Sequence, residues 1–244
     1  MSNHRVDTAV VLAGGLGTRL RSVVPDLPKP MASVAGRPFL ERLFDYWIRQ
    51  GIMCFVVSVG YRHEGITGHF GALYRGAEIR YVVEEQPLGT GGGLLLASTE
   101  LSHEEPFLLL NGDTYFAVGL EELQAFFRAH DADWCFSLFT TSVQGRYMGM
   151  GVAQSGRIVS LGEDSLESET HVNGGVYLVH PRTLSNFLAS GYAHGTKVSL
   201  EDDILPAALS SGQRMYGMPS SGVFIDIGVP EDYERAQTLL TTSP

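Results

Sequence analysis

Short apolar runs rich in β-branched residues recur along the 244-residue chain at Ala9–Ala13, Met53–Val59, Ile79–Val83, Phe107–Leu110, Trp134–Phe139, Gly175–Val179 and Val223–Ile227. Each has the length and composition of a strand. From Pro38 to Gln50, Phe39, Leu40, Leu43, Phe44, Trp47 and Ile48 repeat at helical spacing, and Gly51 ends the pattern. Alternation of this kind predicts an α/β fold, a largely parallel sheet with helices on both faces. Between Phe136 and Val179 the strand signals crowd together around turn residues such as Ser155-Gly156, which predicts an antiparallel or mixed addition. Further helices are expected over Leu120–His130, Arg182–Ser190, Leu200–Ser211 and Glu231–Leu240, the last opened by Pro230.

An apolar fraction of 44% with 18% charged residues supplies a core and excludes a disordered chain or a coiled coil. No linker, internal repeat or low-complexity segment divides residues 1–244, so they read as a single domain. The net charge of −10 argues against nucleic acid as a partner, since that binding sums many Lys and Arg contacts. Any phosphate must therefore be held by a local site. Cys54 and Cys135 sit in apolar runs and read as reduced, buried thiols. No stretch has the length of a membrane span or a signal sequence, so no membrane partner and a cytoplasmic location are expected.

Ligands of open parallel sheets bind beyond the carboxyl ends of the strands, which directs attention to the loops after the apolar runs. The first is Leu12-Ala13-Gly14-Gly15-Leu16-Gly17-Thr18-Arg19-Leu20, followed by Pro28-Lys29-Pro30. Its glycines let backbone amides approach an anion, while Thr18, Arg19 and Lys29 add a hydroxyl and two cations, a combination suited to a polyphosphate. It is not a P-loop, because no Lys follows Gly17. It is not a dinucleotide fingerprint either, because Leu20 stands where a small residue is needed.

Gly-Gly-x-Gly-Thr-Arg-Leu followed by Lys-Pro resembles the signature of the sugar nucleotidyltransferases. The resemblance implies a Rossmann-like, GT-A-like nucleotidyltransferase fold, with residues 1–135 forming mainly the nucleotide half and 136–244 mainly the sugar half. It also implies that the first loop holds a nucleoside triphosphate, with Leu12, Ala13, Gly14, Gly15, Gly17 and Thr18 around it and Arg19 and Lys29 catalytic.

A second loop, Glu84-Glu85-Gln86-Pro87-Leu88-Gly89-Thr90-Gly91-Gly92-Gly93, opens an apolar helix. Glycines there expose amides, here taken at Gly91, and Gln86 offers a donor and an acceptor to a base edge. In the family a similar segment recognises the base. Asn111-Gly112-Asp113-Thr114 puts an acid just past a buried strand, and carboxylates with phosphate oxygens suit Mg²⁺. The resemblance makes Asp113 a catalytic metal ligand with Gly112 beside the nucleotide, and Asp226, in Asp226-Ile227-Gly228, the second ligand.

On the sugar side, Asn173 and Gly174 match an Asn-x-Gly segment and Glu163 a glutamate that holds sugar hydroxyls. Asp164, however, stands where the family carries a phosphate-binding lysine. Lys197, Arg146 and Arg157 are the candidate replacements, Lys197 foremost. The segments 20–31 and 111–116 are most similar to the D-glycero-α-D-manno-heptose 1-phosphate guanylyltransferases, which implies GTP and that heptose 1-phosphate as substrates and Mg²⁺ as cofactor; a homo-oligomer is compatible with the sequence. Mannose 1-phosphate, or a uridylyl or thymidylyl donor, is the alternative within the family. A dinucleotide-dependent oxidoreductase is the alternative outside it.

Overall fold

A computed structural model describes residues 5–15, 17–20, 23–141, 146–162, 170–189, 191–192 and 194–240. Strand β1 (Thr8–Ala13) leads into the glycine-rich loop, and the short strands β2 (Ser33–Val34) and β3 (Arg37–Pro38) precede α1 (Phe39–Arg49). The alternating part continues through β4 (Cys54–Val59), α2 (Glu64–Phe70), β5 (Leu73–Tyr74), β6 (Ala77–Val83), α3 (Gly89–Ala97) and β7 (Phe107–Asn111). Then come β8 (Thr114–Phe116), α4 (Leu120–Ala129), β9 (Trp134–Thr141), β10 (Met150–Val152), β11 (Ile158–Leu161) and β12 (Thr170–Val179). The chain closes with α5 (Arg182–Ala189), α6 (Leu205–Ser210), β13 (Met215–Pro219), β14 (Phe224–Asp226) and α7 (Pro230–Leu239).

Eight strands form one sheet in the order β13-β9-β12-β7-β1-β4-β6-β5. β7, β1, β4 and β6 are mutually parallel, as is β13 to β9, whereas β12 runs antiparallel to both of its neighbours. The sheet is therefore mixed and largely parallel; β12 supplies the antiparallel part expected in the second half, and the short edge strand β5, antiparallel to β6, adds one in the first half. Pleating sorts the central strands between two cores. Val11, Val57 and Leu108 pack with Leu43 and Trp47 of α1 and Leu123 of α4. Their neighbours Val10, Val56 and Leu109 pack on the opposite face with Leu94 of α3, Leu184 of α5 and Leu205 of α6.

The elements that differ from expectation include α2, the start of the helix at 200–211, and β13, for which the sequence carries no strand signal. The polar stretch around His63 and His69, where no helix is expected, contains α2, which is short and glycine-bearing but anchored by buried Ile66 and Phe70 one turn apart. His69 Nε2 lies 2.7 Å from Glu41 Oε1. The expected helix Leu200–Ser211 begins as a π-helical turn at Leu200–Ile204 before α6. Cys135 is buried and Cys54 half-buried, both as free thiols whose pKa burial pushes up. Among the described residues no helix is long and apolar enough to cross a membrane.

A third apolar cluster matters most for function. Leu20, Ala32, Val34, Phe39, Tyr115, Ile225, Ile227 and Ala236 pack together off the main sheet, tying the glycine-rich loop and the Lys29 segment to β8, β14 and α7.

Candidate active site

A cavity of about 420 Å³ opens at the carboxyl ends of β1, β6 and β7. Its walls include Leu12, Ala13, Gly14, Gly15, Gly17 and Thr18 of the first loop, Lys29, Glu84, Gly89, Thr90, Asn111, Asp113 and Lys197. The crevice lies beyond the carboxyl ends of parallel strands, and the loops that follow them furnish its chemistry. Leu12 pairs with Asn111 across the β1–β7 ladder, and Gly112 N donates to Leu12 O at 2.9 Å. That bond sets Asp113 just past the end of the ladder.

The two acids meet through a local antiparallel pair rather than through the large sheet. β14 pairs with β8 in the register Asp226↔Thr114, and Ile227 N donates to Asp113 O at 3.0 Å. Lys29 stands between them: its ammonium contacts Asp113 Oδ2 and lies 3.9 Å from Asp226 Oδ1. Gly228 N donates to Asp226 Oδ1 at 2.6 Å. Burial, reinforced by the like charge of Asp113, pushes the Asp226 carboxyl above its ordinary pKa, against the pull of Lys29. Such a pair is electrostatically short of positive charge. Among the described residues there is no group of three or more His, Cys, Asp and Glu side chains able to hold a metal. The two carboxylates would therefore be the protein's share of a cation shell completed by substrate oxygens and water.

The first loop lies against Glu84. A Cβ on Gly14 would sit 2.0 Å from Glu84 Oε1, so only glycine permits this contact. Glu84 is held from below, with Ser58 Oγ donating to Oε1 at 2.8 Å and Leu88 N donating to Oε2 at 3.1 Å. This carboxylate lines the cavity, and sequence reasoning passed over it. Gln86, chosen instead, is exposed and lines a neighbouring cavity of about 380 Å³ with Tyr61, Arg62 and His63. The folded ladder makes the difference: Glu84 N still donates to Val59 O at 2.8 Å, so Glu84 extends the ladder of β6 while Gln86 lies beyond it.

Other expected residues fall differently. Arg19 is exposed on a single 3₁₀ turn and is not part of the cavity wall. Gly91 is buried against Ser199 and Leu200 rather than turned toward the cavity. Gly174 packs on the Phe116 ring. Asn173 is engaged within the fold, Nδ2 donating to the buried Tyr177 hydroxyl at 2.7 Å and Oδ1 accepting from Gly175 N at 3.0 Å. Glu163 lies outside the described residues. Of the three candidate phosphate cations only Lys197 lines the cavity. Arg146 is paired with the buried Asp232, and Arg157 sits at an isolated bridge with Tyr216.

Residues 8–243 match the nucleotidyl transferase family model. The chain is 39% identical over 229 residues to a D-glycero-α-D-manno-heptose 1-phosphate guanylyltransferase of Aneurinibacillus thermoaerophilus, covering 94% of this chain and 96% of that protein. It is 34% identical to the protein of the same name from Campylobacter jejuni, covering 92% and 96%. Its structure superposes on HddC from Yersinia pseudotuberculosis with a TM-score of 0.81 and 30% identity, covering 95% of this chain and 98% of that one; HddC has also been solved complexed with GMP-PN.

Proposed function

We propose that this chain, which belongs to the nucleotidyl transferase family, transfers a guanylyl group from GTP to D-glycero-α-D-manno-heptose 1-phosphate and releases pyrophosphate. The observation that carries the reading is the convergence of Lys29, Asp113 and Asp226 beside a glycine-rich loop at one cavity. An oxygen of the sugar phosphate attacks the α-phosphorus of GTP. The new phosphorus–oxygen bond forms as the bond to the β-phosphate bridging oxygen breaks, and pyrophosphate leaves with that electron pair.

No covalent enzyme intermediate is needed, because positioning and electrostatics suffice for such transfers. The amides of Gly14, Gly15 and Gly17 cradle the polyphosphate, and Lys29 neutralises charge at the α-phosphate. Arg19, exposed beside the mouth, meets the departing pyrophosphate. Asp113 and Asp226 hold Mg²⁺, which supplies charge neutralisation to the phosphates when bound. The hard oxygen donors and their deficit of positive charge fit that ion. On the acceptor side, Lys197 takes the place of the missing lysine after Glu163 and faces the sugar phosphate.

Guanine is supported by Glu84. A fixed carboxylate accepts from both N1–H and the N2 amino group of guanine, whereas adenine presents a lone pair at N1 and no N2 amino group. A site built on such an acceptor discriminates strongly, since the wrong base leaves it unpaired.

The test is pyrophosphate release by the full chain across GTP, ATP, UTP and dTTP, each with D-glycero-α-D-manno-heptose 1-phosphate, mannose 1-phosphate and glucose 1-phosphate. GTP with the heptose phosphate is expected to be fastest. A faster reaction of UTP or dTTP with a glucose-type phosphate overturns the donor and acceptor, and no release with any pair overturns the transfer itself.

A further inference from the structure

Gly91 of the second loop reads in sequence as a ligand-facing amide, yet the fold spends Gly91 and Gly92 on a different contact. Segment 196–200 lies directly against this loop. Val198 N donates to Leu88 O at 2.8 Å, and Gly92 N donates to Val198 O at 3.0 Å. Leu200 N donates to Thr90 Oγ1 at 2.9 Å, and that hydroxyl donates to Glu201 Oε2 at 2.6 Å. The approach leaves no space for side chains, since a Cβ on Gly92 would lie 2.5 Å from Thr196 O and one on Gly91 would lie 2.9 Å from the Ser199 carbonyl carbon.

This docking fixes which way Lys197 faces. Val198 and Leu200 are buried in the core beneath α3, at 3% and 0% exposure. Lys197 sits between Thr196, whose carbonyl lies against Gly92, and the hydrogen-bonded, buried Val198, and it lines the cavity. A lysine carries several rotatable bonds, so its charge is useful at one place only if its backbone is held.

We propose that Gly92 and Thr90 are positioning residues for the acceptor: they hold segment 196–200 against the base-side loop so that Lys197 presents its ammonium to the sugar phosphate. This rests on the assignment of Lys197 as the sugar-phosphate cation. Gly92 is not part of the cavity wall, so its contribution to substrate binding is made through Lys197.

The experiment measures KM for GTP and for the sugar 1-phosphate separately in the full chain. Gly92→Ala is expected to raise the sugar-phosphate KM about tenfold, the scale of a weakened charge-assisted bond, with the GTP KM held within about twofold. Lys197→Met is expected to raise the same KM, and Gly92→Ala added to Lys197→Met to raise it no further. Equal increases in both KM values for Gly92→Ala, or an effect that adds in full to that of Lys197→Met, overturns the proposal. An unchanged sugar-phosphate KM in Lys197→Met instead overturns the assignment of Lys197, a separate result. Should Gly92→Ala not fold, Glu201→Ala, which removes the acceptor of the Thr90 hydroxyl and lies outside the cavity wall, replaces it. It must show the same split, and equal increases in both KM values overturn the proposal.

Discussion

The ammonium of Lys29 lies 3.9 Å from Asp226 Oδ1 while contacting Asp113, so one cation from the first loop joins two carboxylates that are distant in sequence. This arrangement makes the two acids one functional unit. Asp113→Asn and Asp226→Asn each keep the side-chain shape and remove a charge, and each is expected to lower turnover by ~10²-fold or more with an unchanged melting temperature. If both acids serve one ion, as proposed, the double variant is far from additive. Removing divalent cations with a chelator should abolish pyrophosphate release by the wild type. Near wild-type turnover of Asp113→Asn at ordinary magnesium would end the metal assignment.

Glu84→Gln replaces a pure acceptor with a group that also donates. The kcat/KM for GTP is expected to fall by ~10- to 100-fold, the scale of one lost charge-assisted bond, with that for ATP unchanged or raised. Ser58→Ala, which frees the carboxylate on one side, should give a smaller loss of the same sign. Retained preference for GTP over ATP in Glu84→Gln would assign base reading elsewhere.

Arg19→Ala is expected to lower kcat by about 10²-fold while raising the GTP KM much less, because a guanidinium beside the leaving group gains most as negative charge develops there. Steady-state kinetics separate the outcomes. An unchanged kcat with a raised KM makes Arg19 a ground-state binding residue.

Asp133 offers a test of stability against pH. Burial alone would raise its pKa above the ordinary 3.8, but hydrogen bonds from Arg214 and Arg182 outweigh burial and hold it lower. A depressed folded-state pKa stabilises the fold at pH values above the unfolded value, and this contribution disappears as pH falls through the folded one. Asp133→Asn should therefore cost about 2 kcal/mol near neutrality, less than for a fully buried pair because both arginines are partly exposed. Melting curves of the two proteins should converge in strong acid. A gap that stays constant with pH would show that the loss is one of packing rather than charge.

Much of the fold was legible because its signals are local. Strand runs in the parallel half needed no long-range information, since burial on both faces makes them continuously apolar. β13 was missed for the complementary reason: Met-Tyr-Gly-Met-Pro has weak strand propensity, and it becomes a strand by docking beside β9 at the sheet edge, where proline is tolerated. α2 likewise depends on Ile66 and Phe70 finding the core.

By itself the sequence determined the glycine-rich loop, Lys29, the Gly112-Asp113 turn and the acid at the end of β14, because backbone freedom and charge are properties of the residues themselves. Tertiary structure decided how they are used. The Asp226↔Thr114 register, which brings the two acids to Lys29, is set by the cluster around Tyr115 and Ile225 and by no local pattern. Glu84 lines the cavity and Gln86 does not because the β6 ladder reaches one residue past the apolar run. Gly91 and Gly92 face segment 196–200 instead of a ligand, since a glycine's missing side chain admits any close neighbour and only the folded chain supplies one.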